Sequence, residues 1–162
     1  AFAMLPAEMD ASLLMVGDGK LREPLLAQLA GKDVAFPGFI RDRAALARIL
    51  ASADIYVSGM ADETFGISII EAQSSGLPIV GVASGAMPDR VVAGTGLLGP
   101  AGDGKAMAAN IESIWRQGPA KIGAAARAHV EIRFSWAHSF QILFDDVYPK
   151  AMAARDVRIL GK

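Results

Sequence analysis

The chain has 162 residues, 52% of them hydrophobic and 20% charged, a composition that favours one domain with a real core and argues against disorder. Its 16 basic and 17 acidic residues nearly balance, so the charge does not indicate a nucleic-acid partner or a strongly anionic membrane. The absence of cysteine excludes disulfides and thiolate metal sites and fits a cytoplasmic protein. The sequence also has no apolar run as long as a membrane span. Because the chain opens without Met, we expect a fragment of a longer protein.

Short apolar runs alternate along the chain with segments of helical spacing. The apolar runs predict buried strands at residues 13–16, 34–36, 55–58 and 79–82. Helical spacing and cap residues predict helices at about 20–30, 43–51, 65–75, 104–117, 119–133 and 136–154. Such an alternation predicts a parallel sheet with helices on both faces, whose ligands lie at the carboxyl ends of the strands.

Several residues sharpen these boundaries. Asp42, Asp103 and Ser135 each precede a helical segment and are predicted N-caps, while Gly76 should end the helix before the fourth strand. Pro37-Gly38 should break the second strand. Apolar side chains at helical spacing near the end of the chain predict a packing face and not a cofactor site: Trp136, Phe140, Leu143, Phe144 and Val147.

The segment from Glu63 to Glu71 combines a helix start with two carboxylates. If Thr64 is the N-cap, the amides of Phe65, Gly66 and Ile67 have no acceptor inside the helix. Free amides suit an anion, and Gly66 has no side chain to keep a phosphate away. Were the whole segment helical, the two Glu backbones would lie about 12 Å apart along the axis, which suits a ligand as long as a nucleotide sugar.

This pair of glutamates, with Phe65-Gly66 between them and Ala72 after them, closely resembles the signature of the retaining GT-B glycosyltransferases of family 4. Further segments resemble that family in order and spacing: Val16-Gly17-Asp18-Gly19, residues 34–40, 52–57 and 75–80, and Gly96-Leu97-Leu98. Ser84-Gly85 stands where the family has two glycines. The resemblance covers most of the chain and points to the C-terminal, donor-binding domain of the family.

The resemblance implies an α/β fold, namely a Rossmann-like parallel sheet that forms the C-terminal half of a GT-B fold. Residues 1–154 would be the donor-binding domain, lacking its first strand with the family's Arg and Lys, and residues 155–162 a frayed tail. The partners would be a missing N-terminal GT-B domain, which would also provide any attachment to a membrane, and an acceptor saccharide or lipid. No nucleic acid is expected.

The function implied is transfer of a hexose from a UDP-, GDP- or ADP-sugar to that acceptor with retention of configuration. No metal and no cofactor is expected. By resemblance, Glu63 is the catalytic-site residue that contacts sugar hydroxyls near the anomeric carbon, and Glu71 holds the ribose. Other donor-binding residues implied by the family are the diphosphate amides of Phe65, Gly66 and Ile67, the strand-end Gly17, and Phe39 and Ile40 beside the base. We expect Glu71→Ala to weaken binding of a nucleoside diphosphate and Glu63→Ala hardly to affect it.

Two other phosphate-binding patterns are incomplete. Gly17-Asp18-Gly19 begins a dinucleotide-binding motif, but Arg22 stands where the third glycine belongs, which argues against a dehydrogenase. Residues 99–105 match a phosphate loop through Lys105, but Ala106 lacks the hydroxyl that would meet magnesium.

Two further functions stay open at this point. One is a sugar-nucleotide epimerase of GT-B architecture, and the other is a nucleotide-sugar binding module without catalysis of its own. His129 and His138 match no metal-ligand spacing, so we interpret them as surface or packing residues.

Overall fold

A computed structural model describes the fold of residues 1–160 and the side chains of residues 1–155. The strands are β1 (Leu13–Val16), β2 (Val34–Gly38), β3 (Tyr56–Val57), β4 (Ile79–Val82) and β5 (Gly96–Gly99). The helices are α1 (Arg22–Gln28), α2 (Arg43–Ser52), α3 (Ile67–Ser74), α4 (Met87–Arg90), α5 (Gly104–Gln117), α6 (Pro119–Arg133), α7 (Trp136–Ile142) and α8 (Tyr148–Leu160). Short 3-10 turns at Phe2–Met4 and Ala7–Met9 precede β1, and a π-helical turn at Leu143–Val147 joins α7 to α8.

Within the described residues the strands form two hydrogen-bonded groups, β1–β2 and β3–β4–β5. Every pair in both groups is parallel, as the alternation of strands and helices predicts. The sequence analysis missed β5, because Gly96 and Gly99 at its ends lower its strand propensity. It pairs along its whole length with β4, which makes β4 the central strand of its group.

Helices cover both faces of β4. Ile79 packs with residues of α3 and α4 in a core cluster that includes Ile69 and Met87. Its neighbour Val80 packs on the other face, in a cluster with residues of α5. Because successive strand residues point to opposite faces, these two clusters confirm the layered α/β architecture.

The predicted N-caps Asp42, Asp103 and Ser135 and the predicted end of α3 at Gly76 are confirmed. The carboxylate of Asp42 accepts a hydrogen bond from the amide of Ala44 (2.9 Å), and Asp103 and Ser135 cap α5 and α7 in the same way. At the end of α3 the amide of Gly76 donates to the carbonyl of Gln73, and the next amide donates to Ala72. This pair of bonds is a Schellman motif, which explains why α3 stops before β4.

Strand β2 and the final helix both extend beyond their predicted ends. β2 continues through Pro37 to Gly38. Within the described residues β2 pairs with β1 only, so its other edge has no strand partner. Proline lacks an amide hydrogen and is tolerated in such an edge strand. The final helix continues to Leu160, beyond its predicted end at residue 154. Residues 161–162 of the predicted tail 155–162 lie outside the described residues.

The aromatic residues after Ser135 contact one another in a row but do not pack into the core. Successive rings of Trp136, Phe140, Phe144 and Tyr148 lie 5.8, 6.3 and 5.6 Å apart, as four-residue spacing along a helix allows. Among the described residues the predicted packing is mainly between these rings, since Trp136 is 79% exposed and Phe140, Phe144 and Val147 are also exposed. None of the helices described is long and apolar enough to cross a membrane.

Candidate functional site

Helix α3 begins two residues later than the sequence analysis predicts. Gly66, not Thr64, is its N-cap, with a φ of 80°, and no side chain bonds to the first turn from the cap position. That left-handed conformation is unfavourable for residues with a Cβ, so the glycine is required by the turn as much as by any ligand. The first helical residue is Ile67.

The carboxylate of Glu63 folds back onto the turn that follows it. Its Oε1 accepts hydrogen bonds from the amides of Phe65 (3.3 Å) and Gly66 (2.8 Å). Two of the three amides predicted to hold a diphosphate, those of Phe65 and Gly66, therefore already have an acceptor within the chain. Ile67 and Ser68 are exposed at the start of α3, and their amides donate to no acceptor among the described residues. The free amides at this helix start are therefore those of Ile67 and Ser68, and not those of Phe65 and Gly66.

The loop after β4 holds the main chain of Glu63. The amide of Ala86 donates to the carbonyl oxygen of Glu63 over 2.8 Å. A Cβ at Gly85 would lie 2.3 Å from that same oxygen, so only glycine allows this approach. Gly85, the single glycine of Ser84-Gly85, therefore lies where the loop after β4 comes close to the main chain of Glu63.

Arg90, at the end of α4, contacts the same turn. Its Nε donates to the carbonyl of Phe65 over 2.7 Å. Its guanidinium carbon lies 4.6 Å from the ring centre of Phe65 and 4.8 Å from that of Phe134, two cation–π contacts. The sequence analysis did not identify Arg90, because 25 residues separate it from Phe65 and no local pattern links them.

Glu71 lies one turn into α3 and is bonded by a second arginine that the sequence analysis missed. Nη2 of Arg43 lies 2.7 Å from Oε1 of Glu71; the arginine side chain is 83% exposed and the glutamate 28%. Arg43 begins α2, directly after the loop that carries Phe39 and Ile40. The ion pair therefore connects the predicted base-binding loop to the helix with the predicted ribose ligand.

Gly17 lies at the carboxyl end of β1, where its amide donates to the carbonyl of Gly38 over 2.9 Å. It contributes to an open cavity of about 240 Å³ with Gly19, Arg22 and Phe36 among its lining residues. This bond places Gly17 next to the residue that precedes Phe39. No hydrogen bond of the described residues joins Gly17 directly to Glu63 or to α3.

A larger open cavity of about 690 Å³ is lined by residues that include Arg90 of α4 and His129 and Arg133 of α6. Burial, and then the nearby charge of Arg133, lower the pKa of His129 below its ordinary value of 6.5. Its Nε2 is buried and has no hydrogen-bond partner among the described residues, and its ring contacts Phe134 edge-on. Within the described part of the chain, no three His, Cys, Asp or Glu side chains gather as a metal site would require.

Comparison with known proteins relates the chain to a family. The family model of the group 1 glycosyl transferases matches residues 1–117. A GDP-mannose-dependent monoacylated alpha-(1-6)-phosphatidylinositol monomannoside mannosyltransferase of Corynebacterium glutamicum is 33% identical over 146 residues, covering 82% of this chain and 38% of the relative. A GDP-mannose-dependent alpha-(1-6)-phosphatidylinositol dimannoside mannosyltransferase of Mycobacterium tuberculosis is 37% identical over 94 residues, covering 58% of this chain and 25% of the relative.

Solved structures share the fold. Sucrose-phosphate synthase from Thermosynechococcus elongatus is similar with a TM-score of 0.74 and 29% identity, over 88% of this chain and 39% of that one. HepE from Anabaena, solved in complex with UDP-glucose, is similar with a TM-score of 0.76 and 26% identity, over 91% of this chain and 43% of that one. These likenesses confirm the Rossmann-like half of a GT-B fold. The chain spans less than half the length of each of these proteins.

Proposed function

The chain belongs to the group 1 glycosyl transferases, and we propose that it forms the donor-binding half of a hexosyltransferase that acts with retention of configuration. One observation carries the proposal: the exposed start of α3 offers the free amides of Ile67 and Ser68 between the carboxylates of Glu63 and Glu71. Amides that point out of a helix start bind anions, and the two carboxylates accept from hydroxyl groups. A nucleoside diphosphate sugar presents hydroxyls on both sides of its diphosphate.

The donor class agrees with what the relatives bind. The two mannosyltransferases are GDP-mannose-dependent, and HepE was solved with UDP-glucose. We assign the diphosphate of such a donor to the amides at the start of α3, where the helix dipole adds to their attraction for an anion. Charge grows on the leaving diphosphate as the glycosidic bond breaks, so donors already aimed at it favour the transition state over the ground state.

Each carboxylate keeps one oxygen for the ligand. Oε1 of Glu63 is bonded to the turn and Oε1 of Glu71 to Arg43, whereas no described donor bonds to either Oε2. We assign the second oxygen of Glu71 to the ribose hydroxyls and that of Glu63 to sugar hydroxyls near the anomeric carbon. Phe39 and Ile40 lie on the loop before α2, which the Arg43–Glu71 pair connects to α3, and would then lie beside the base. Gly17, at the carboxyl end of β1, would lie on the side of the ligand that faces the ends of the strands.

Calorimetric titration of the chain with UDP, GDP and ADP tests this assignment. We expect one of the three to bind saturably, and Glu71→Ala to weaken that binding. Lys105→Ala is a matched control, because it removes a charge at the start of another helix, α5. Failure of all three nucleotides to bind at millimolar concentration would overturn the proposed function, as would equal weakening by the control.

A further inference from the structure

We propose that Arg90 is a positioning residue of the donor site, which orients the peptide unit directly before α3 and through it the free amides of Ile67 and Ser68. The inference rests on the proposed function, because that function assigns a ligand to those amides. Arg90 itself is not assigned to the ligand.

The peptide unit in question joins Phe65 to Gly66, and both of its polar atoms are held. Arg90 Nε donates to its oxygen over 2.7 Å, and Oε1 of Glu63 accepts from its nitrogen over 2.8 Å. Because a peptide unit is planar and trans, a bond to each edge fixes the orientation of the whole plane. The next amide in the chain is that of Ile67. This pair of side chains therefore holds the plane from which the chain turns at Gly66, with a φ of 80°, into the peptide unit that carries the first free donor.

The arginine is itself held in place from several sides. The rings of Phe65 and Phe134 flank its guanidinium at 4.6 and 4.8 Å, and its main-chain carbonyl accepts from Nε2 of Gln73 over 2.9 Å. Gln73 is fully buried in α3. Arg90 is thus bonded to the body of α3 through its main chain and to the turn before α3 through its side chain.

Lysine cannot replace arginine in this arrangement. Only a guanidinium combines a donor at the Nε position with a planar face that two rings can cover, whereas an ammonium keeps the charge alone. The chemistry therefore separates two roles for Arg90: orientation of the turn, which Lys would lose, and simple attraction of an anion, which Lys would keep.

The experiment compares Arg90→Lys, Arg90→Met and Phe134→Leu by nucleotide titration, thermal melting and hydrogen exchange of the Gly66 amide. We expect both Arg90 variants to bind the nucleoside diphosphate about tenfold more weakly, in low and in physiological salt alike, with faster exchange at Gly66. Phe134→Leu keeps the Nε bond and should lose less affinity. Val130→Ala, a buried change in α6, controls for a general loss of stability and should leave both affinity and Gly66 exchange unchanged.

Wild-type affinity in Arg90→Lys, or a loss in Arg90→Met that disappears in salt, would overturn the inference, since Arg90 would then act by charge. Unchanged affinity and unchanged Gly66 exchange in both variants would overturn it as well. If the wild-type chain binds no nucleotide, the proposed function fails instead, and the exchange of the Gly66 amide alone decides whether Arg90 orients the turn.

Discussion

Glu63 and Glu71 carry the same carboxylate group, but different parts of the chain hold the two side chains. The carboxylate of Glu63 bonds to two amides of its own turn, one of them in the buried residue Gly66. The carboxylate of Glu71 bonds to an arginine side chain that is mostly exposed. An exposed ion pair contributes little to stability, whereas a buried amide left without its acceptor is costly. The two residues should therefore differ in what their removal does to the fold.

We expect Glu71→Ala to weaken binding of the nucleoside diphosphate by roughly 1.5–3 kcal/mol, the size of a hydrogen bond to a charged group, with little change in stability. Glu63→Ala should lower the free energy of unfolding by roughly 1–3 kcal/mol and should also weaken nucleotide binding, because the turn before α3 loses its acceptor. The structure thus revises the expectation that Glu63→Ala hardly affects binding.

Calorimetry and chemical denaturation measure the two quantities side by side. Glu131→Ala, which removes an exposed carboxylate of α6, is the control and should change neither by more than about 0.5 kcal/mol. A stable Glu63→Ala variant with wild-type affinity would show that the turn keeps its shape without the carboxylate.

His129 should make stability depend on pH. Burial and the charge of Arg133 lower its pKa in the folded chain, and Asp89 and Arg90 of α4 line the same cavity. The unfolded chain then takes up the proton first as the pH falls, so stability is complete above the ordinary pKa of 6.5 and is lost as the pH falls toward the folded pKa. Melting temperatures between about pH 7.5 and 5.5 should fall more steeply for the wild type than for His129→Gln. Parallel curves would show that His129 is not responsible.

At the scale of the helix, local signals predicted the end of α3 but not its start. Gly76 ends α3 through bonds within a few residues, and a cap of that kind is visible in the sequence. The start depends on Arg90 and Ala86, which come from a later part of the chain and hold the main chain around Gly66. Thr64 has the right residue type for an N-cap, but these tertiary contacts override its preference.

Helix α6 offers a test of packing against helix propensity. A Cβ at Gly123 would lie 1.8 Å from the carbonyl oxygen of Gly76, so α6 can approach the end of α3 only with glycine at that position. Helix propensity alone predicts that Gly123→Ala stabilises the chain by about 1 kcal/mol. We expect the opposite, a loss of roughly 1–3 kcal/mol from overpacking, measured by denaturant unfolding.

Gly59→Ala is the matched control for Gly123→Ala. A Cβ at Gly59 meets no atom within 4 Å, so the substitution should not lower the free energy of unfolding and can raise it by up to about 1 kcal/mol. A stabilised Gly123→Ala variant would mean that α3 and α6 can separate without loss, and that their contact does not hold the site in place.

For the molecule as a whole, the sequence was sufficient for the layered α/β class, for the strands β1 and β4 and for the last residues of several helices. It was not sufficient for the contacts that close the site, since Arg43–Glu71 and Arg90–Phe65 join residues 28 and 25 positions apart. The spacing of Trp136, Phe140 and Phe144 predicted that their side chains share one face of a helix, but not that this face is exposed. Periodicity reports which side chains share a face of a helix, and not what covers that face.

Activity should require more than this chain. In the GT-B architecture that the chain resembles, the reaction takes place in a cleft between two domains, and this chain spans 25–38% of the two mannosyltransferases. Orientation of donor and acceptor can contribute on the order of 7–11 kcal/mol in a closed site, so without the second wall transfer should fall below detection. Nucleotide affinity should be nearer millimolar than micromolar.

Incubation with labelled nucleotide sugars and a panel of saccharide and lipid acceptors tests this expectation. Transfer that is lost on Glu63→Ala would show that the chain is a complete enzyme. Conversion of the nucleotide sugar to its epimer without any acceptor would indicate an epimerase.

The central claim is that the start of α3 binds the diphosphate of the donor, and amide chemical shifts on nucleotide titration test it most directly. The account predicts that the largest changes occur at Ile67 and Ser68, whose amides donate to no acceptor among the described residues. The amides of Lys105 and Ala106, at the start of α5, already donate to Asp103 and should not move. Saturable changes at Lys105 and Ala106, with Ile67 and Ser68 unmoved, would contradict the account.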